Sequence, residues 1–146
     1  MSNISPIDGR YKKNVSELET FFSEQALMRH RVMVEVEYLL ALVEHKSFQK
    51  TRSLSKKTLK SLKGLYVEFS ATHFKQIKKI EKKTNHDVNA VVVFVSEKLK
   101  KIGRDDLVPF VHFGLTSEDI NNISYSLMTQ GAVENVMLPS VKGVLK

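Results

Sequence analysis

The chain has no cysteine among its 146 residues. Disulfides, thiol nucleophiles and Cys-ligated zinc are therefore excluded, and a reducing compartment is compatible with the composition. Long apolar runs are also missing. The longest, Tyr38 to Val43 and Ala90 to Val95, are far too short to cross a bilayer, so no membrane partner is expected. Met1-Ser2-Asn3-Ile4-Ser5-Pro6 lacks the basic-then-apolar pattern of a secretory signal, which makes a cytoplasmic location the expectation. No Gly-rich phosphate loop of the P-loop or dinucleotide type occurs. No His pair has helical metal-ligand spacing with a carboxylate partner, so no metal site is expected. No Ser stands in a nucleophile-elbow context.

What is present is ordinary for a soluble globular protein: 42% apolar and 27% charged residues, in a chain long enough to bury a real core. The formal net charge is +7, and the excess is local. It lies in Lys56, Lys57, Lys60 and Lys63, then Lys75, Lys78, Lys79, Lys82 and Lys83, then Lys98, Lys100 and Lys101. These lysines interleave with apolar positions at helical spacing. Solvated helix faces are the plainer reading, and a nucleic-acid footprint is not expected. A positive field can still attract an anionic substrate.

Helical periodicity organises the chain, and all-α is the expected class. Ser5-Pro6-Ile7-Asp8-Gly9-Arg10-Tyr11 reads as a turn. A short helix is expected from Val15 to Phe22. Ser23 can cap a second helix, from Glu24 to about His45, whose C-terminal half is apolar on nearly every side and should sit centrally. Ser55 can cap a third, with a break near Ser70 to Thr72. Another begins near Thr84 to Asp87. Its Val91-Val92-Val93-Phe94-Val95 core leaves a buried strand as the rival, and the apolar spacing favours helix. Gly103 to Pro109 reads as a loop. The last helix starts at Thr116 or Ser117 and runs to the chain end, with a kink expected at Pro139. Apolar periodicity is still running at Val144-Leu145-Lys146 without a C-cap signal, so the sequence reads as cut rather than finished.

Three segments combine polar groups with turn or helix-start context. Arg10-Tyr11 offers a guanidinium clamp and an aromatic hydroxyl, against the plainer reading of a surface Arg beside a staple aromatic. Thr84-Asn85-His86-Asp87 gathers four polar residues where a helix starts. There Asp87 is either an N-cap or a contact residue, and His86 either an exposed ring or one that donates to a phosphate or acts in proton transfer. His112-Phe113-Gly114-Leu115-Thr116-Ser117-Glu118-Asp119-Ile120-Asn121-Asn122 places two hydroxyls at a helix start. Thr116 and Asp119 have capping-box-like spacing. Free N–H groups with Thr116 and Ser117 suit a carboxylate or phosphate. His112 reads as packed and hydrogen-bonded rather than catalytic. Asn121 and Asn122, poor helix formers, suggest polar contacts.

Together these segments resemble the adenylosuccinate lyases of the fumarase/aspartase superfamily, over essentially the whole chain. The Thr116-Ser117 segment is shared across the superfamily, whereas Arg10-Tyr11 and Asn85-His86-Asp87 narrow the resemblance. It implies a helical N-terminal domain over residues 1–111 and, over 112–146, the start of a long-helix central bundle. It also implies a cofactor-free elimination of fumarate from adenylosuccinate and from the related succinyl-carboxamide ribotide, with a purine nucleotide as substrate. Thr116 and Ser117 would contact the succinyl carboxylate, Arg10 and Tyr11 would hold the nucleotide, and Asn85, His86 and Asp87 would touch the substrate. In such a family the principal acid is a His in a later segment and the base a Ser on a mobile loop, in a homotetramer. Neither motif occurs here, so no catalytic acid or base is assigned and the piece alone is expected to be inactive and to bind substrate weakly, with self-association through the apolar positions Val133, Val136, Met137, Val141, Val144 and Leu145. The alternatives are a related lyase, such as argininosuccinate lyase, and a Lys-rich helical module that binds nucleic acid.

Overall fold

The computed structural model describes residues 5–46 and 54–145. Met1 to Ile4 and the final Lys146, which entered the readings of the two chain ends, lie outside them. No strand occurs among the described residues. Those residues form seven α-helices in order: α1 Glu19–Phe22, α2 Glu24–Glu44, α3 Lys56–Val67, α4 Ala71–Thr84, α5 Asp87–Lys101, α6 Ser117–Ala132 and α7 Leu138–Val144. Tighter 3-10 turns occupy Pro6–Asp8, Lys12–Leu18 and Asp105–Phe110.

Local chemistry sets the helix starts. Ser23 Oγ accepts from the Ala26 N–H at 3.1 Å and opens α2, and Ser55 Oγ does the same for the Thr58 N–H at the start of α3. Ser70 precedes α4, where its N–H donates to His73 Nδ1. The third helix of the sequence reading thus divides at Glu68 to Ser70, close to the expected break.

Helix α2 is the axis of the fold, as its apolar surface predicted. It packs against α1, α3, α4, α5 and α6. Val32, Val36 and Leu39 are fully buried, in one core with Leu62 of α3, Ile77 of α4, and Val91, Phe94, Val95 and Leu99 of α5. The five-residue Val91–Val95 stretch is helical, and the strand alternative fails because its buried members recur at helical spacing. A smaller cluster, Val34, Val88 and Ile120, joins α2, α5 and α6.

Helix α6 runs antiparallel to the N-terminal helices. Phe21 lies at Gly131, Arg31 at Asn121 and Tyr38 at Phe113, so contacts advance along one element as they recede along the other. The far end of this pairing is close. A Cβ at Gly131 would stand 2.7 Å from Phe21 Cε1, so only glycine fits there without movement.

Three expectations need correction. The Val15–Phe22 helix starts earlier and winds more tightly, as a 3-10 stretch from Lys12 with a kink at Val15, before α1 begins at Glu19. The expected loop from Gly103 to Pro109 contains the 3-10 turn Asp105–Phe110, steadied by a bidentate pair from Arg104 to the Asp106 carboxylate at 2.8 Å. Pro139 is absorbed differently from a simple kink. A π-helical stretch, Val133–Met137, precedes it, and the Leu138 N–H reaches back to the Val133 carbonyl. The widened turn changes the backbone pairing just before a residue that has no N–H to contribute.

Candidate functional site

The second and third polar segments meet along the middle of α2, where Arg31 reaches Asp87 in one and Asn121 in the other. Asn85 ends α4 in the left-handed conformation (φ 51°), a conformation that asparagine tolerates better than most residues. That sharp turn brings His86 directly onto the start of α5. His86, rather than Asp87, is the N-cap: its Nδ1 accepts from the Asn89 N–H at 3.2 Å. Nδ1 is therefore an acceptor, which leaves the ring hydrogen of a neutral imidazole on Nε2. The side chain is half exposed and lines a shallow hollow with Lys78, Glu81, Lys82, Asn85 and Asp87.

Relieved of capping, Asp87 turns to other partners. One oxygen accepts from the Val88 N–H at 2.8 Å, and the other pairs with Arg31 Nη2 at 2.8 Å. Burial works to raise its carboxyl, but the Val88 N–H and the Arg31 guanidinium outweigh it and hold the group below the usual carboxylate range.

The third segment is built around a complete capping box. Thr116 Oγ1 accepts from the Asp119 N–H at 3.4 Å and donates to Asp119 Oδ2 at 2.9 Å, and that same oxygen accepts from the Thr116 N–H at 2.7 Å. The Thr116 N–H and then its hydroxyl hold Asp119 below the usual carboxylate range. Thr116's single hydroxyl proton is thus committed to Asp119. Ser117, the first residue of α6, is half-buried and its Oγ makes no hydrogen bond among the described residues. Ser117 is the uncommitted donor at a positive helix end.

Two left-handed residues aim this segment: His112 (φ 62°) and Gly114 (φ 71°). The strain at His112 is held by an anchor. Its Nδ1 lies 2.6 Å from Oε1 of Glu35, a fully buried carboxylate of α2. Burial pushes the Glu35 carboxyl up, while the His112 bond pulls in the other direction and offsets only part of it. Tyr38 Oη adds a 2.8 Å bond to the Phe113 carbonyl. The reading of His112 as packed and hydrogen-bonded agrees with this arrangement.

Arg10 and Tyr11 stand apart. Both are exposed in the N-terminal arm, with the Arg10 guanidinium 5.5 Å from the centre of the Tyr11 ring. No hydrogen bond or ion pair among the described residues ties them to the other two segments. Sequence reasoning missed Arg31 and Glu35. They are two of six charged residues on α2, and only burial, where an unpaired charge is costly, sets them apart from Glu24, Arg29, Glu37 and Glu44.

The arrangement offers a ring N–H donor, a free hydroxyl and two helix N-termini beside one another. It is suited to holding an anionic ligand rather than to nucleophilic chemistry. Among the described residues no cluster of His, Asp and Glu is placed to hold a metal ion, and no helix is long and apolar enough to cross a membrane.

Comparison with known proteins gives the chain a family. The profile of a family described as "Lyase" matches residues 9–146. The adenylosuccinate lyase of Dictyostelium discoideum is 41% identical over 145 residues, covering 97% of this chain and 31% of that protein. That of Escherichia coli (strain K12) is 41% identical over 140 residues, 95% of this chain and 31% of its own. That of Legionella pneumophila (strain Corby) is 37% identical over 146 residues, 99% and 32% respectively. The chain therefore spans about a third of the length of the curated relatives it matches, in their N-terminal portion. On the strength of the profile match, which runs from the N-terminal arm through α7, the chain belongs to the lyase family.

Proposed function

We propose that this chain supplies the substrate-holding part of a lyase that eliminates fumarate from adenylosuccinate, and from succinyl-aminoimidazole carboxamide ribotide, in purine nucleotide biosynthesis. The observation that carries the reading is the juxtaposition of Asn85-His86-Asp87 with the uncommitted Ser117 hydroxyl, in a chain whose relatives are named adenylosuccinate lyases. On this reading Ser117 and Thr116 hold the succinyl carboxylate at the start of α6. The His86 ring, with its neighbours Asn85 and Asp87, meets the substrate from the start of α5. Arg10 and Tyr11 close over the nucleotide from the N-terminal arm.

Elimination builds negative charge on the carboxylate next to the carbon that loses its proton. Fixed donors aimed at that carboxylate lower the barrier because their dipoles need no reorganisation. The principal acid and base come from outside these residues, and no cofactor takes part. The division into a domain over 1–111 and a bundle start over 112–146 belongs to the same reading. So do a cytoplasmic location and a homotetramer, formed in part through the exposed apolar residues Met137, Leu138, Val141, Val144 and Leu145.

The test is an NMR titration of the labelled chain with adenylosuccinate, argininosuccinate and a short RNA in parallel. Saturable amide shifts at residues 84–89 and 116–121 with adenylosuccinate alone are expected. Equal response to argininosuccinate would move the chain to the alternative lyase. Salt-sensitive RNA binding without response to either small molecule would support the nucleic-acid reading. An absorbance assay of cleavage should find no turnover by the chain itself. Turnover that disappears in His86→Ala would mean that a complete site lies within these residues.

A further inference from the structure

We propose that Arg31 is the positioning residue that sets the two binding segments relative to one another. The inference rests on the functional reading above for its ligand, though not for its geometry.

Arg31 sits on α2 and is 2% exposed. A guanidinium stays charged, so burying one is unfavourable unless its donors are matched. The oxygen partners of Arg31 come from outside α2. Nε donates to Asn121 Oδ1 at 3.0 Å and Nη2 pairs with Asp87 Oδ2 at 2.8 Å, while Nη1 meets only the soft sulfur of Met28 at 3.9 Å. Both oxygen partners belong to the candidate site, one on each side. The fork is planar and rigid, so fixing one edge fixes the direction of the other.

Each partner is in turn tied to the residues that would meet substrate. Asp87 also accepts from the Val88 N–H, which fixes the first turn of α5 directly after His86. Asn121 donates through Nδ2 to Glu118 Oε1 at 3.0 Å, one residue from Ser117. A continuous path therefore runs from His86 through Asp87, Arg31, Asn121 and Glu118 to Ser117. Backbone contact between α5 and α6 is slight beside the contact each makes with α2. The side chain from α2 is thus the direct polar link between the two helix starts. Lysine could not replace it, because one ammonium on a flexible stem cannot hold two divergent acceptors in fixed directions.

A merely stabilising arginine and a positioning one differ in what they transmit. The experiment uses the labelled 146-residue chain and asks whether Asp87→Asn is felt at Asn121. The expected result is a shift of the Asn121 side-chain amide and of the amides of Ser117 and Glu118. That shift is lost when Asp87→Asn is made in an Arg31→Met background. Arg31→Lys, which keeps the charge and the stem, should preserve the helical circular dichroism and lose the transmission as well. It carries the test if Arg31→Met fails to fold. Transmission that persists in Arg31→Met or Arg31→Lys, or an Asn121 resonance unmoved by Asp87→Asn in the wild type, would overturn the proposal.

A titration with adenylosuccinate completes the experiment. Affinity should fall about tenfold in Arg31→Lys, the loss of one charge-assisted bond's worth of orientation. Full affinity in a variant that has lost transmission would also overturn the positioning role. A wild-type chain that transmits the shift but binds no adenylosuccinate would support Arg31 as the link and count only against the proposed substrate.

Discussion

Thr116 and Ser117 are neighbours with the same functional group, and the structure gives them opposite fates when the hydroxyl is removed. Thr116 Oγ1 both accepts from the Asp119 N–H and donates to the Asp119 carboxylate. Thr116→Ala loses an N-cap, which costs about 1 kcal/mol. For a chain of this size that corresponds to a melting temperature lower by about 2–4 °C. Ser117 has no such bond to lose, and alanine is the better helix former by a few tenths, so Ser117→Ala should melt at or slightly above the wild-type temperature, within about 0.5 kcal/mol. Ligand affinity should show the reverse. If Ser117 donates to the succinyl carboxylate, its removal costs about 1.5–3 kcal/mol, or roughly ten- to a hundredfold in affinity. Thr116→Ala should lose less, because its proton is already committed to Asp119. The assay is a thermal melt and an adenylosuccinate titration on both variants. Equal destabilisation by the two substitutions, or unchanged affinity in Ser117→Ala, would refute the assignment of the free hydroxyl as the anion donor.

Acid should weaken the two helix starts. Asp87 and Asp119 are both held below the usual carboxylate range, so their contributions are fully present above that range and are lost as pH falls through their folded values. Melting temperature should therefore drop on acidification below about pH 4, and less steeply in Asp119→Asn. Glu35 carries the opposite sign: burial raises its carboxyl, so its contribution is present below the ordinary carboxylate range and is lost as pH rises through the raised value. Glu35→Gln should flatten the stability profile on that side, whereas profiles parallel to wild type would show that Glu35 is not what titrates. Gly131→Ala should destabilise the chain in denaturant titrations, since an overpacked contact costs about 1–3 kcal/mol against a helix-propensity gain of about 1 kcal/mol. In a Phe21→Leu background, where the ring that a Cβ at Gly131 would meet is gone, the same substitution should instead stabilise.

The sequence made the parts of the fold governed by short-range chemistry legible. Ser23, Ser55 and Thr116 announce helix starts because a hydroxyl can satisfy an N–H two or three residues on, whatever the tertiary surroundings. The central place of α2 follows from an apolar surface too wide for any half-exposed helix. Elsewhere local rules compete. Asp87 is the stronger intrinsic cap, yet the left-handed turn at Asn85 delivers His86 to the capping position and frees Asp87 for Arg31. The turn at Asp105–Phe110 has no hydrophobic period to betray it, and Arg104 and Asp106 fix it through a side-chain pair between residues two apart. At Pro139 the expected disruption is met upstream, in a π turn that no propensity marks.

The candidate site divides along the same line. Its polar members were legible because they are dense and local: Asn85, His86 and Asp87 at the start of one helix, Thr116 and Ser117 at the start of another. What joins them was not, because Arg31 and Glu35 are charged residues four apart on a helix read for its apolar positions. Their partners lie far along the chain, at Asp87, Asn121 and His112. Burial turns that into a physical argument. A core helix has no reason to carry a guanidinium and a carboxylate unless distant groups satisfy them, since desolvation alone costs several kcal/mol per charge. The two are separated by about one helical turn and so emerge on the same face. One takes hold of the loop before α6, and the other ties the body of α6 to the start of α5. Because α6 runs antiparallel to that face and is pinned at its far end by the Phe21–Gly131 contact, the two grips fix its register as well as its distance. A change at Gly131 should therefore be felt at Ser117, although one lies at each end of the helix.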